Sequence, residues 1–434
     1  MSLPDDTPAR APWTTRGFAR LTDSRPADLD PHEAGNGLVH VAALSLTKAA
    51  DSLIDPKLVL SWLLTALGAP GVVIGALVPV REAGALLPQL ALARLVERAA
   101  QRKRIWAAGA LGQGVAALGI AAAVLTLEGA AAGWVVLALL ACLAVARSAA
   151  SVSYKDVLAR TIAKGRRGAV TGFAAASASV AAFGFGLMMA LGVFEVAIPV
   201  LAGAVSLAGA AFILAALLFL RLHEPQNGAE GAADEGIKRL FRPLREDRQL
   251  QIFIAARAAL TVTALAPPFI VMLSSANGQG ALDQLGPMVM ASTAAAVLSS
   301  YVWGRLSDRS SRWTLMASGA LASIVLLLTG AAGLALGGLG GAWGAGLAIF
   351  AAQIAYEGVR AGRKLHLTDM TGDDFRARYT ALSNTLIGIA LMGGGLFGLA
   401  ADLVGPAPVL VVFAGISMIG AVIAWHLHEV QDDA

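Results

Sequence analysis

Two stretches, Val135–Val145 and Val196–Leu220, carry no charge and show no alternation of apolar and polar residues. A backbone inside lipid must satisfy its polar groups internally, which leaves only helices and closed barrels. Barrel strands alternate apolar and polar at about every second residue. These runs do not, so they read as membrane-spanning helices. The composition agrees: of 434 residues, 57% are hydrophobic and 14% charged. A soluble domain is nearer a quarter charged. There is too little polar surface here to cover a water-soluble globule. Disorder, collagen and coiled coil are excluded because the apolar residues run in long blocks. The expected fold class is an all-α polytopic membrane protein.

A spanning helix needs roughly 20 residues. Cutting the chain at Gly/Pro and charge clusters gives twelve spans. The first six are 38–66, 69–97, 105–127, 132–156, 168–193 and 197–220. The last six are 248–274, 284–306, 313–337, 341–367, 376–402 and 407–427. Residues 1–37 form a polar cytoplasmic lead-in, expected as a flexible tail, the alternative being that Trp13, Phe18 and Leu21 rest on the membrane surface. Residues 222–247 form a charged linker between residues 38–221 and 248–427, and 428–434 form a short tail. Of the 33 Lys and Arg, 26 fall on the loops and termini that share a side with the N-terminus. The opposite loops hold none, and the other seven lie within spans. This is the positive-inside pattern, and it predicts that both termini are cytoplasmic.

The two groups of six repeat. Pro56 and Pro267 are 211 residues apart, as are Glu97-Arg98 and Asp308-Arg309. Trp134 and Trp343 are 209 apart, and Thr161 and Thr368 are 207 apart. Ordered matches with a slowly drifting offset predict two six-helix halves of the same topology. Such an arrangement places a binding site between the halves, near the bilayer midplane.

After span 8 the chain reads Trp303-Gly304-Arg305-Leu306-Ser307-Asp308-Arg309-Ser310-Ser311-Arg312. This resembles the G-x-x-x-D-R-x-x-R cytoplasmic loop of the major facilitator superfamily. The resemblance covers residues 38–427 and implies fold and transport class, not substrate. It implies a latch in which Gly304 allows close helix approach. Asp308 would accept hydrogen bonds at a neighbouring helix N-terminus, where the dipole favours an anion. Arg309 and Arg312 would pair with acids at the interface. The first-half copy runs from Ala93 through Glu97 and Arg98. It departs from the pattern, with Ala93 for Gly and Glu97 for Asp, so the first latch is the weaker expectation. Many drug/proton antiporters of this superfamily carry a Gly-Pro-rich motif in span 5. Span 5 here has Gly184, Gly186 and Gly192 but no proline between Val170 and Val193.

Enzyme signals are weak. The chain has one GxGxxG match, at Gly393, Gly395 and Gly398, but it lies inside an apolar span without the strand that a dinucleotide site needs. His40, His366, His426 and His428 are scattered near span ends, and no P-loop, metal-ligand cluster or nucleophile–base set appears. The single cysteine, Cys142, excludes an internal disulfide. No enzyme activity, cofactor, metal or nucleic-acid partner is expected.

Ionisable residues at membrane depth are costly and face the bundle interior. Span 1 carries Lys48, Asp51, Ser52, Asp55, Pro56 and Lys57. At 100° per residue, Lys48 and Asp55 nearly eclipse, with Asp51 and Ser52 beside them. Lys57 falls on the far side of the helix unless Pro56 kinks it. Span 2 carries Arg81 and Glu82, and Asp51 or Asp55 is the expected partner of Arg81. Span 10 carries Gln353, Tyr356, Glu357 and Arg360 on one face. Arg147 and Arg257 complete the set. The expected cavity lining is Lys48, Ser52, Arg81, Glu82, Arg147, Arg257, Gln353, Tyr356 and Arg360, with Asp51, Asp55 and Glu357 as proton carriers. Cations outnumber acids, which favours a substrate with an anionic group.

The sequence therefore points to a monomeric secondary transporter in a bacterial inner membrane. It would move a small organic solute by alternating access, driven most simply by protons. The rival is a facilitator-fold protein that does not transport but assembles or binds another membrane component. Paired charges in a cavity favour the first, since a scaffold has no need of them. The topology is directly testable with single cysteines in a Cys142→Ser background. Cysteines replacing Ala130 and Ala276 should label from outside the cell, whereas one replacing Ala229 should stay protected. Reversed labelling would overturn the helix count.

Overall fold

In a computed structural model, the described residues are 12–193, 196–225, 242–275, 285–339, 341–370 and 373–431. Most of the expected linker and the sites Ala229 and Ala276 lie outside them. The described residues are almost entirely helical. Nine helices or helix pairs among them are long and apolar enough to cross a membrane by length and composition. The expected spans 1, 2 and 10 are not among the nine, and these are the spans that carry most of the charged residues singled out above.

A short helix α1 (Trp13–Thr22) precedes span 1, which is split into α2 (Pro31–Leu53) and α3 (Val59–Ala66). Span 2 is likewise α4 (Gly71–Leu86) and α5 (Gln89–Glu97). Spans 3 to 6 are α6 (Arg102–Thr126), α7 (Gly129–Thr161), α8 (Arg167–Ala190) and α9 (Ile198–Phe219). A turn of helix, α10 (Arg242–Glu246), leads into span 7, split into α11 (Arg248–Leu260) and α12 (Val262–Ser275). Spans 8 to 10 are α13 (Leu285–Arg309), α14 (Ser311–Leu336) and α15 (Gly341–Asp369). Span 11 is α16 (Asp373–Met392) and α17 (Gly395–Val404), and span 12 is α18 (Pro406–Trp425). The break in span 1 falls at Pro56, which lacks an N–H and clashes with the preceding turn. The break in span 11 falls at the Gly393-Gly394 pair.

Helix contacts follow a pseudo-twofold rule. Span 3 packs on spans 4 and 6, and span 9 packs on spans 10 and 12. Span 1 packs on spans 5 and 6, and span 7 packs on spans 11 and 12. Span 2 packs on span 4 as span 8 packs on span 10. The contacts between the sets obey the same rule: span 2 meets span 11, and span 5 meets span 8. Exchanging each span with its counterpart six places on turns one of these pairs into the other.

The contacts between sets concentrate on the face away from the chain termini. There α3 packs on α12, and α17 packs on α4. A Cβ on Gly75 would lie 2.6 Å from the Cα of Gly398, so only glycine permits that approach. Trp62, Phe269 and Phe413 are buried behind this seam, with the two phenylalanine rings edge-to-face at 5.3 Å. The outward surface carries exposed apolar residues such as Val180, Leu207, Leu298 and Leu347, as a lipid-facing wall requires.

The lead-in is more ordered than its polar composition suggested. Helix α1 packs on α2 and α8, and Phe18 is buried among Ala34, Val41 and Val170, while Trp13 stays exposed. Short segments also fold back on the terminal face. The side chain of Glu224 accepts from the backbone N–H of Arg102 at 3.2 Å and of Lys103 at 2.9 Å, capping α6. The counterpart in the second set is Gln431, which accepts from the Ser311 N–H at 2.9 Å at the start of α14. Neither cap belongs to its own helix, so each pins the chain after the sixth span of its set to the third. Replacing Glu224 with Ala should cost about 1 kcal/mol, the usual value of such a cap. Thermal unfolding in detergent would measure it, and Glu224→Gln, which keeps an acceptor oxygen, should lose less. An unchanged unfolding temperature for Glu224→Ala would show that the cap contributes nothing.

Candidate functional site

Between the two sets lies a cavity of about 370 Å³. It brings together Lys48, Asp51, Ser52, Asp55 and Arg147 from the first set with Gln353, Tyr356, Glu357 and Arg360 from the second. Each of these was expected there from the sequence. Val289, Ser292 and Thr293 of α13 complete its far wall.

Asp51 organises the first-set side. Arg81 Nη2 donates to its Oδ1 at 2.6 Å, and Arg147 Nη1 donates to its Oδ2. One carboxylate thus ties α2 to both α4 and α7, and Arg81 is the partner the sequence predicted. Taking charges out of water is tolerable here because each arginine finds the same acid. Asp55 differs. It sits in the break between α2 and α3, accepts from the backbone N–H of Leu58 at 3.2 Å, and forms no ion pair among the described residues. The break also redirects Lys57 into the cavity, where its Nζ lies 3.5 Å from the centre of the Tyr356 ring. The sequence placed Lys57 there only if Pro56 kinked the helix; the structure goes further and interrupts the helix between Leu53 and Val59. On the second-set side, Glu357 accepts from Gln353 Nε2 at 2.9 Å and lies 3.4 Å from Arg360.

The cavity opens toward the face that carries the termini. Span 1 runs away from that face, so Lys48 lies nearer to it than Asp51, and Lys48 is exposed. Span 10 runs the other way, so Arg360 lies nearer to it than Glu357, and its side chain is 61% exposed. The deeper members of both stripes are more enclosed.

Arg81, expected in the lining, is buried against Asp51 and does not line this cavity, and neither do Glu82 and Arg257. The last two line a second one of about 60 Å³, together with Tyr356 and Arg363. Tyr356 belongs to both.

The loop motif makes no latch contact among the described residues. Asp308 and Arg309 are exposed, and neither forms a hydrogen bond or ion pair among the described residues. Open space surrounds the position a Gly304 Cβ would take, so no close helix approach occurs there. Arg312 is half-buried, and its Nε has no partner among the described residues. Arg98 is exposed, and the Glu97 side chain lies outside the described residues. The expected cap by Asp308 is therefore not made. The reason is geometric, since spans 5 and 8 meet at Gly186 and Gly286, toward the opposite face.

A carboxylate does close the far face, and sequence reasoning missed it. Asp402, in the last turn of α17, accepts from the N–H of Gly71 at 2.6 Å and of Val72 at 2.8 Å. These are the first residues of α4, whose N-terminus attracts an anion. The bonds join the two sets at the mouth of the sealed side. An acid at the end of a span, opposite a Pro-Gly helix start, was the available signal.

No protein-family model and no curated protein matches this chain. Solved structures do. A point mutant of the nucleoside transporter NupG aligns over 90% of this chain and 99% of its own, with TM-score 0.68 and 13% identity. A POT family transporter in complex with a thioalcohol-conjugated peptide covers 89% and 94%, with TM-score 0.68 and 11% identity. The xylose transporter XylE from E. coli, in an inward-open conformation, covers 92% and 97%, with TM-score 0.63 and 11% identity. This chain has the major facilitator fold. It is a multi-pass membrane protein of twelve helices in two six-helix pseudo-repeats, as the loop motif implied.

Removing the Asp402 bonds should loosen the far face. With spin labels on cysteines replacing Ala130 and Leu336, one in each set, Asp402→Ala should gain a population at longer distance than the parent protein shows. An identical distance distribution would mean that the glycine seam alone keeps this face shut.

Proposed function

We propose that this protein is a secondary active transporter of a small organic solute, working as a monomer by alternating access and coupled to protons. The observation that carries the reading is the charged cavity at the seam between the two sets. Nothing in the packing of twelve apolar helices requires Lys48, Asp55, Lys57 or Glu357 to face a common space. A non-transporting scaffold would have no use for them. The fold it shares with nucleoside, peptide and xylose transporters supports the same class of work. The positive-inside charge pattern argues for a bacterial inner membrane with both termini in the cytoplasm, so the state described is inward-facing.

The roles divide by partner. Asp51 is engaged by two arginines and holds spans 1, 2 and 4 together. Asp55, at a helix break, has no ion pair among the described residues, so it can take up a proton without first breaking a salt bridge. Glu357, shared between Gln353 and Arg360, is the second carrier. Protonation of Asp55 removes its charge from a site that also holds Lys57, and this alters the balance between the two faces of the cavity. Coupling arises if solute binding and protonation each favour the same rearrangement. The surplus of cations favours a solute with an anionic group.

The test is paired. In proteoliposomes, Asp55→Asn should abolish accumulation driven by a pH step while counterflow at equal pH survives, since it strands no arginine. Asp51, the other carrier expected from the sequence, is held by two arginines, so Asp51→Asn should lose accumulation and counterflow together. Full pH-driven accumulation in Asp55→Asn would move the proton to Glu357 or remove it from the mechanism. Failure of the parent protein to exchange any organic solute would defeat the transport reading itself.

A further inference from the structure

The small second cavity holds a buried cation with no ion-pair partner among the described residues. Arg257, on α11, is 8% exposed. Its Nη1 donates to Ser383 Oγ at 2.6 Å and its Nη2 to Asn384 Oδ1 at 3.0 Å. Both acceptors are uncharged. Its Nε is buried and has no hydrogen-bond partner among the described residues. The arginines around the larger cavity are treated differently: Arg81 and Arg147 share Asp51, and Arg360 has Glu357. Arg363, which lines the same cavity as Arg257, likewise forms no ion pair among the described residues. Glu82 is the one acid in that lining, so two guanidiniums face one carboxylate.

We propose that Arg257, assisted by Arg363, is the subsite that takes a carboxylate group of the transported solute. This rests on the transport reading and names the solute class, an organic monocarboxylate. A guanidinium has five N–H donors in a planar fork, and two of these are used by Ser383 and Asn384. Three N–H donors are left over, and an adjacent pair of them matches the two oxygens of a planar carboxylate. The cavity, at about 60 Å³, has room for a group of that size and little more. A phosphate dianion would meet Glu82 in the same space. Tyr356 lines both cavities, so a solute held by its carboxylate at Arg257 extends past that ring toward Gln353, Ser292 and Thr293 of the larger one. The neutral partners of Arg257 hold the guanidinium in place without quenching its charge, which is what a vacant anion site needs. Asn384 also lies 3.5 Å from Gln89 of α5, so the subsite sits on the contact between spans 11 and 2. Filling it therefore acts on the seam between the two sets.

The experiment uses the purified full-length protein in detergent at fixed pH and ionic strength. Sodium lactate, pyruvate and benzoate are compared with lactamide and benzamide, and with inorganic phosphate, by thermal unfolding. At least one carboxylate should raise the unfolding temperature saturably while its amide does not. Arg257→Gln should weaken that binding at least tenfold, and Arg363→Gln should weaken it less. If Arg257→Gln does not unfold cooperatively, Arg257→Lys keeps the charge, loses the fork and should show the same tenfold loss. Equal shifts from acid and amide, a shift from phosphate alone, no shift from any of the three carboxylates, or unchanged binding in the arginine variants would each overturn the assignment. Counterflow separates this result from the transport reading. A carboxylate that binds through Arg257 but is never exchanged sustains the subsite and defeats transport. A solute exchanged equally by the parent and Arg257→Gln does the reverse.

Discussion

Asp51 is the residue on which the interior depends. It is one carboxylate on span 1, and it receives an arginine from span 2 and another from span 4. Within a low-dielectric bundle an uncompensated charge is expensive, and the loss of one partner of a buried pair typically costs about 3–5 kcal/mol. Three helices are therefore held in register by a contact that lipid cannot replace. With that triangle fixed, the rest of the polar stripe has a defined place. Lys48 lies nearer the terminal face, and Asp55 and Lys57 lie deeper, at the break. Without Asp51, Arg81 and Arg147 would repel each other at the centre of the first set.

The symmetry of the helix contacts is broken where function would need it to be. The two contacts between sets that the symmetry exchanges, span 2 with span 11 and span 5 with span 8, close the same face through small residues. Among the described residues, only the first pair adds a carboxylate at a helix N-terminus. The cavity lining is also unequal. Span 1 contributes two acids and two lysines to it, whereas span 7, its counterpart, contributes none and instead sends Arg257 to the smaller cavity. Two halves built on one plan thus differ: one carries the Asp51 triangle and an acid outside it, the other the Glu357–Arg360 pair and a cation held by neutral partners.

Much of this was legible in the sequence, for identifiable reasons. Helix-forming runs, the sidedness of Lys and Arg, and the drifting offset between Pro56 and Pro267 all express constraints that act locally. The stripe from Lys48 to Ser52 and the face from Gln353 to Arg360 were readable because helical periodicity alone groups them. Asp55 reaches the same cavity from the break after Leu53 and not by the helical eclipse with Lys48 that the sequence suggested, and Lys57 depended on what Pro56 does to the helix, which periodicity cannot decide. Arg257 and Glu82 were recognised as deep charges but assigned to a single cavity. Their separation depends on how Tyr356 divides the space, which is a property of packing. Asp402 was missed because its partners, Gly71 and Val72, lie 331 and 330 residues away and offer only backbone. Phe18 was missed as a core residue because a polar lead-in carries no sign of what it folds against.

The two aspartates near opposite faces make sense as one device. Asp402 is bonded to a helix N-terminus on the sealed side, while Asp308 stands exposed on the open side, with no bond among the described residues. A two-state machine needs its states close in energy, or a solute could not tip one into the other. A cap bond is suited to that purpose, since each contributes about 1 kcal/mol and breaks without disturbing a core. The glycine seam supplies close packing on the far face, and Asp402 adds a directional bond to it. Under the alternating access proposed above, the far face would open, the ends of spans 5 and 8 would approach each other, and Asp308 is placed for the complementary role on the terminal face. The Asp402 bonds alone are not strong enough to trap a state, and they use main-chain donors that a rearrangement must leave satisfied by water. In that reading a carboxylate at each mouth biases the relative population of the two states, while the triangle around Asp51, which lies within the first set, need not break.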